Sequence, residues 1–372
     1  MTTPSVLYIG PDAGTSGHRA AALRRLGYNV VIIDPSTFSP LGHSVHPWTW
    51  STGGIFLESY IRRNIFRRIQ HHRFEFIHVD TGDLIGPAVV SELKKRFGTI
   101  INYNIDDPYG KRDGRRWRQY LRAVPFYDLI VVVRDCNVAE AYSRGARKVL
   151  RVPMSADEIA HAPRAIREQD YRKWANDVLF IGTWMPERGP FMARLVELGV
   201  PLSIYGKLWE NAPEWHILRK CWRGGDLLGD DYVMAIQCAK VNLGLLSKGN
   251  RDLSTTRSFE IPLVGAVFCA ERTAEHLKLY REDEEATFWS SPEECASKCM
   301  QLLSDEQLRK NLAVNSRKRS LQNNTTNEAV WAEILYTAGR SERAATRPVQ
   351  CTVMPRRDQL AVGAYDPSGI AF

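Results

Sequence analysis

An α/β fold built from two doubly wound parallel-sheet domains is what this 372-residue sequence predicts, and three observations carry that expectation. Short apolar runs of strand length alternate with helical stretches, the pattern of a parallel sheet crossed by helices on both faces. The alternation halts once, in a polar and charged stretch from Pro153 to Asn176, and then starts again. Hydrophobic residues make up 44% and charged residues 25% of the chain, enough for large packed cores and inconsistent with wholesale disorder. At roughly 100–200 residues per domain, the length fits two such units better than one.

The first domain is expected over residues 1–155. Val6 to Ile9 reads as its opening strand, Gly17 to Leu26 as a helix closed by Gly27, and Asn29 to Ile33 as the second strand. Ile61, Ile65, Phe66 and Ile69 recur at helical spacing beneath Arg62, Arg63, Arg67 and Arg68, which predicts an amphipathic basic helix. A strand at Phe76 to Val79, a helix at Pro87 to Phe97, and strands at Thr99 to Asn104 and Leu129 to Val133 follow. Residues 156–176 are the expected linker. The second domain, 177–337, repeats the rhythm with strands at Val178 to Ile181, Leu202 to Tyr205, Val241 to Leu246, Ala266 to Cys269 and Ala286 to Phe288. Its helices run from Pro190 to Leu198, from a capping box at Ser291-Pro292-Glu293-Glu294, from a similar signal at Ser304 to Gln307, and from Glu328 to Tyr336. The tail, 338–372, is rich in Arg, Ala, Pro and Gly without a period and reads as mobile. Two parallel-sheet domains in tandem would face a cleft at the carboxyl ends of their strands, where such sheets bind ligands.

Several classes are excluded or disfavoured. No apolar run approaches the roughly 18 residues that cross a bilayer, and Met1 leads into a strand rather than a secretory signal, so the expected compartment is the cytoplasm. Seven scattered cysteines show no CxxC pair; Cys295 and Cys299 share a helix face, but partner ligands for a metal are not readable, so they read as buried thiols. The net charge of +8 is uneven: residues 1–170 carry 24 Lys and Arg against 17 Asp and Glu. That surplus, concentrated at Arg62 to Arg73 and Lys111 to Arg122, is either a solvated face or an attractant for an anionic partner: acidic headgroups peripheral to a membrane, a lipid-linked phosphate, or nucleic acid.

Two segments carry chemistry. Gly10-Pro-Asp-Ala-Gly14-Thr-Ser-Gly17 lies between a strand and a helix, where glycines let backbone approach a phosphate; Gly14 is the candidate contact, although the spacing is not the dinucleotide GxGxxG. From Lys248 to Glu275 the chain presents Asp252, Thr255, Thr256, Arg257 and Glu260 around a helix start, a setting that suits a diphosphate and a vicinal diol. Two acids eight apart mean little by themselves, because 42 acids among 372 residues produce such pairs by chance.

Context adds weight. Phe259-Glu260, Gly265, a short strand and Glu271-Arg272-Thr273 resemble the C-terminal domain of GT-B nucleotide-sugar glycosyltransferases, most of all the group with the spore-maturation CgeB-type proteins. Phe180-Ile181-Gly182-Thr183 with Arg188, Ile204-Tyr205-Gly206, and Glu285-Ala286 before the Ser291 cap fall in that family's order. The similarity spans residues 175–337, and more loosely the first half through Tyr8-Ile9-Gly10, Asp106-Asp107-Pro108 and Gly145-Ala146. It implies two Rossmann-like domains in the GT-B arrangement and transfer of a sugar from a nucleotide-diphosphate donor to an acceptor hydroxyl, in cell-surface glycan or glycoconjugate synthesis. Glu260 matches the family's ribose-holding acid, and Asp252 the acid facing the donor sugar, one methylene shorter here. Arg188 matches the residue that neutralises the diphosphate; Thr255, Thr256 and Arg257 match its cradle, with Thr183 at the strand end. No metal is expected, since arginines and a helix N-terminus can stabilise the leaving diphosphate and the chain has no Asp-x-Asp; no cofactor is expected beyond the donor itself.

Asp106 or Asp107, after a strand, is placed to take the acceptor's proton, or else to form a structural turn. Pro262, inside the helix after Glu260, predicts a bend there. Trp209 reads as a core residue or as a stacking platform. Alternatives to this function are transfer to nucleic acid, a silent binding module of the same fold, and a nicotinamide-dependent oxidoreductase.

Overall fold

The computed structural model describes residues 3–38 and 50–340. They form two compact units: residues up to 154 with Gly249–Arg251 and 327–340, and residues 155–248 with Asp252–Thr326.

The first unit is a six-stranded, wholly parallel sheet in the order β2-β1-β3-β4-β5-β6. Its strands are β1 (Ser5–Ile9), β2 (Asn29–Ile33), β3 (Phe76–Asp80), β4 (Ile100–Asn104), β5 (Leu129–Val132) and β6 (Val149–Arg151). Helices α1 (Gly14–Arg25), α2 (Glu58–Arg68), α3 (Pro87–Phe97), α4 (Arg118–Ala123) and α5 (Asp135–Ser143) connect them. Every residue of β3, β4 and β5 is buried, as in a parallel sheet covered on both faces, and the buried set includes the polar His78, Asp80, Asn102 and Asn104. The arginines of α2 ride outside while Ile61, Ile65 and Phe66 pack inward, as the spacing predicts.

The second unit is also a six-stranded parallel sheet, in the order β12-β11-β10-β7-β8-β9. Here α6 (Glu168–Trp174) precedes β7 (Asn176–Ile181), followed by α7 (Arg188–Glu197), β8 (Leu202–Tyr205), α8 (Trp215–Leu218), β9 (Trp222–Gly224) and α9 (Gly229–Cys238). Next come β10 (Ala239–Gly244), α10 (Arg257–Val264), β11 (Phe268–Glu271), α11 (Ala274–Leu279), β12 (Thr287–Trp289), α12 (Pro292–Ser304) and α13 (Glu306–Gln322). The final helix, α14 (Asn327–Thr337), clusters with the first unit.

Three expectations need correction. Residues 156–176 do not behave as a linker: they cluster with the second unit, and Trp174 of α6 is buried in a core with Leu179, Ile181 and Tyr232. Residues 327–337 belong to the first unit rather than the second, because α14 packs on α1 and the fully buried Trp331 donates its Nε1–H to the Arg19 carbonyl at 3.0 Å. Asp305, not Ser304, caps α13, its side chain accepting from the Leu308 N–H at 2.9 Å. Pro262 lies inside α10, which continues through it to Val264. A proline cannot donate to the carbonyl four residues back, here that of Ser258, and the Tyr280 hydroxyl supplies that carbonyl instead at 2.8 Å. The tail lies outside the described residues from 341 onward, and among the described ones no helix is long and apolar enough to cross a membrane.

Candidate active site

In the second sheet the strand order reverses between β7 and β10, one half running on to β8 and β9, the other to β11 and β12. The carboxyl ends of strands flanking such a reversal form a crevice that the sheet itself cannot fill. Arg188, the first residue of α7 and a buried one, occupies that fork. Its Nη1 donates to the Thr183 carbonyl beyond β7 at 2.8 Å, and its Nη2 to the Leu245 and Leu246 carbonyls beyond β10 at 3.3 Å each. The guanidinium therefore holds the two strand ends together while placing a fixed positive charge at the reversal. The neighbouring glycines are required by close approach: a Cβ at Gly206, where φ is +143°, would lie 2.1 Å from the Gly182 oxygen. Trp209 fills the space beneath, fully buried, with Nε1–H bonded to that same oxygen at 2.9 Å. It is a core residue.

Glu260 is the centre of the second cluster. It lies in the first turn of α10, is almost wholly buried, and its Oε2 accepts from the Tyr232 hydroxyl at 2.6 Å and from Arg257 Nη1 at 3.0 Å. On its other oxygen it faces His161 Nε2 at 3.6 Å. His161 Nδ1 accepts the Asp157 backbone N–H at 2.9 Å, so in the neutral ring the proton sits on Nε2, toward Glu260. Burial alone would raise the Glu260 pKa; Arg257, His161 and the Tyr232 hydrogen bond outweigh it, and the carboxyl titrates below its ordinary value. A buried, ionised carboxylate at a helix N-terminus results. Arg257 also donates from Nε to the Ile181 carbonyl at 3.3 Å and from Nη1 to Thr256 Oγ1 at 3.0 Å, tying the start of α10 to the end of β7.

The turn before α10 is held from within. Ser258 Oγ accepts the Thr255 N–H at 3.0 Å and lies 2.8 Å from His276 Nε2, while His276 Nδ1 lies 2.6 Å from the Glu271 carbonyl. His276 is buried and its pKa is lowered by that burial, so the ring is neutral, with Nδ1 donating to the carbonyl and Nε2 accepting from Ser258. Asp252 is buried at the head of this turn, its N–H donating to the Ser247 carbonyl at 3.2 Å.

Of the expected site residues, Thr183, Arg188, Asp252, Thr255, Thr256, Arg257 and Glu260 all lie in the second unit, and Arg257 links the α10 cluster to the β7 end. Gly14, Asp106 and Asp107 belong to the first. Gly14 has φ +52° at the start of α1, and a Cβ there would meet nothing within 4 Å. The reversal in the first sheet, between β1 and β3, is filled by protein: Arg19 and Asp80 are both buried and joined through Nη2 to Oδ1 and Oδ2 at 2.6 and 2.9 Å.

The two adjacent acids differ sharply. Asp107 is buried and spent on structure: Asn137 Nδ2 at 2.8 Å and the Gly110 N–H at 3.1 Å reach Oδ1, and Arg251 spans both oxygens at 2.6 and 2.8 Å. Burial opposes its ionisation, but Arg251 and Asn137 overcome that and hold its pKa low. Asp106 has one weaker ion pair, to Arg116 at 3.4 Å, and desolvation raises its pKa. His161 and Tyr232 escaped the sequence reading; His161 falls in the supposed linker, and only the Asp157 to His161 spacing, a side chain returning to a turn, hinted at a fixed imidazole.

Residues 188–335 match the sequence profile of the Glycosyl transferase-like family. No curated protein sequence matches the chain significantly. Among solved structures, a sucrose-phosphate synthase from Thermosynechococcus elongatus superposes with a TM-score of 0.68 at 12% identity, over 90% of this chain and 98% of that one. HepE of Anabaena in complex with UDP-glucose gives 0.62 at 12% identity, over 90% and 99%. A glycosyltransferase from Rickettsia africae gives 0.60 at 11%, over 92% and 99%. The chain therefore has the two-sheet α/β fold of these solved structures, and the matched segment contains Arg188, Tyr232, Arg257 and Glu260, with Thr183 and His161 before it.

Proposed function

We propose that this protein is a glycosyltransferase that moves a sugar from a nucleotide-diphosphate donor to an acceptor hydroxyl, with the donor held by the second unit and no essential metal. The observation that carries this reading is Glu260: an ionised carboxylate buried at a helix N-terminus, braced by Arg257, Tyr232 and His161, and lying within the segment that matches a glycosyltransferase family. Glu260 accepts hydrogen bonds from the donor's vicinal diol, the second lone pairs of its oxygens being suited to hydroxyl donors. As the sugar–phosphate bond breaks, negative charge grows on the leaving diphosphate. The fixed charge of Arg188, the partly exposed Arg257 guanidinium and the start of α10 stabilise it without reorganisation. HepE, of the same fold, was solved with UDP-glucose, which makes uridine nucleotides the first donors to try.

The acceptor falls to the first unit. Asp106, whose pKa is raised and whose pairing is weak, is the better proton acceptor of the adjacent acids; Asp107 is the anchor for Arg251. The basic surplus of the first half favours an anionic acceptor such as a growing surface glycan or a lipid-linked phosphate, met at the cytoplasmic face of a membrane.

The test is thermal shift and calorimetry with UDP, GDP, dTDP, ADP, their sugar conjugates and NAD(H), on wild type and Glu260→Gln. One nucleotide series should raise the melting temperature; saturation at 100 times Kd adds about 2.7 kcal/mol. Glu260→Gln, which keeps shape and removes charge, should weaken that ligand by about tenfold or more, about 1.4 kcal/mol. A folded protein that ignores every nucleotide, or answers only NAD(H), would sink the proposal.

A further inference from the structure

We infer that the core of the second unit contains a trithiol site for a trivalent thiophilic metalloid, of the chemical class of arsenous acid. Cys269 of β11 and Cys295 and Cys299 of α12 are each fully buried, and their three Sγ atoms lie within 4.8 Å of one another. Cys295 and Cys299 are one helical turn apart and so share a face of α12. That face packs on the sheet, where Cys269 supplies the third sulfur from a strand that is remote in sequence.

The geometry is close to that of a three-coordinate thiolate centre. With bonds of about 2.3 Å and the pyramidal angles of about 100° that the lone pair of trivalent arsenic imposes, bound sulfurs lie about 3.5 Å apart, so a contraction of up to about 1.3 Å closes the site. The surroundings select among soft ions by charge. The neighbours in this core include Val178, Leu243, Val267, Trp289 and Leu302, and among the described residues no carboxylate or imidazole joins the cluster. Three thiolates on a divalent zinc ion leave one uncompensated negative charge, and on a monovalent copper ion two, in a medium where a buried charge costs several kcal/mol. Zinc would also lack its fourth ligand. Arsenous acid avoids both difficulties. Each thiol proton departs with one hydroxyl of As(OH)3 as water, three As–O bonds break and three As–S bonds form, and no electron is transferred. The product is neutral, needs no fourth donor, and suits apolar surroundings.

The site is enclosed, so entry follows local opening of α12 from the sheet, and binding should be slow in the native state and prompt when the chain refolds with the ligand present. The experiment is intact-mass analysis and thermal melting of the full chain after incubation, and after refolding, with arsenite. Expected is one arsenic per chain replacing three hydrogens, with a raised melting temperature. The adduct should persist in Cys136→Ser and Cys221→Ser, and be lost in Cys269→Ala and in Cys299→Ala, each verified as folded by circular dichroism; Cys295→Val repeats the test if either fails to fold. Absence of an adduct by both routes, an adduct that survives removal of a core thiol, or zinc retained one per chain in its place would each overturn the inference.

Discussion

Asp106 and Asp107 show how far apart two neighbouring identical side chains can be driven. Sequence places both at a strand end and leaves the choice open; hydrogen bonds decide it. Asp107→Asn removes the charge that meets Arg251 and should cost about 1–3 kcal/mol of stability in urea denaturation. Asp106→Asn should leave stability nearly unchanged and lower turnover by about 10²–10⁴, as loss of a general base does. Because burial raises the Asp106 pKa, the acid limb of the rate profile should sit above the ordinary aspartate range and vanish in Asp106→Asn. Equal losses of turnover in both variants, with unchanged stability, would contradict this division. Asp80 provides the stability counterpart. Arg19 draws it down to about 2 despite the opposing effect of burial, so its contribution is present above the ordinary value of 3.8 and is lost as pH falls from there through about 2. Acid unfolding of wild type should be steep in that window, and Asp80→Asn should be less stable at neutral pH and flatter below 4.

Among elements, α14 has the largest consequences for its size. Trp331 is fully buried, bonded to the Arg19 carbonyl, and edge-on to His78 at 4.8 Å between ring centroids. Trp331→Ala should cost about 3–5 kcal/mol, seen as a lowered urea midpoint, and a loss under 1 kcal/mol would show that α14 only rests on the surface. The periodicity of 328–336 made this helix legible as a helix; what it packs on was not, since only the fold brings it to α1. The same limit explains the other gaps. β6 and β9 are three-residue edge strands that carry Arg151 and Arg223, too short and too polar to stand out. The strands at 6–9, 76–79 and 202–205 were plain because each is mostly apolar or aromatic and is bounded by polar or turn residues. Glu260 and Arg257 were legible through their shared segment, whereas His161 and Tyr232 reach Glu260 from 99 and 28 positions away, and no local pattern records such a meeting.

Over the whole molecule, charge is the property most open to test. Arg62, Arg63, Arg67 and Arg68 lie along α2, and Phe56, just before it, is 87% exposed. With an anionic, lipid-linked acceptor, the protein should sediment with vesicles containing acidic phospholipid at low salt, and release as the screening length falls from about 10 Å at 0.1 M toward 3 Å at 1 M. Binding that ignores salt, or is equal on neutral vesicles, would point away from such an acceptor. The path of the chain has a consequence in time. The second unit is drawn from residues 155–326 except for three, whereas the first, begun at the N-terminus, is completed only by 327–337. On a ribosome working at about 5–20 residues per second, the later-made unit can finish first, and the earlier one waits with its Trp331 pocket open until the last helix emerges.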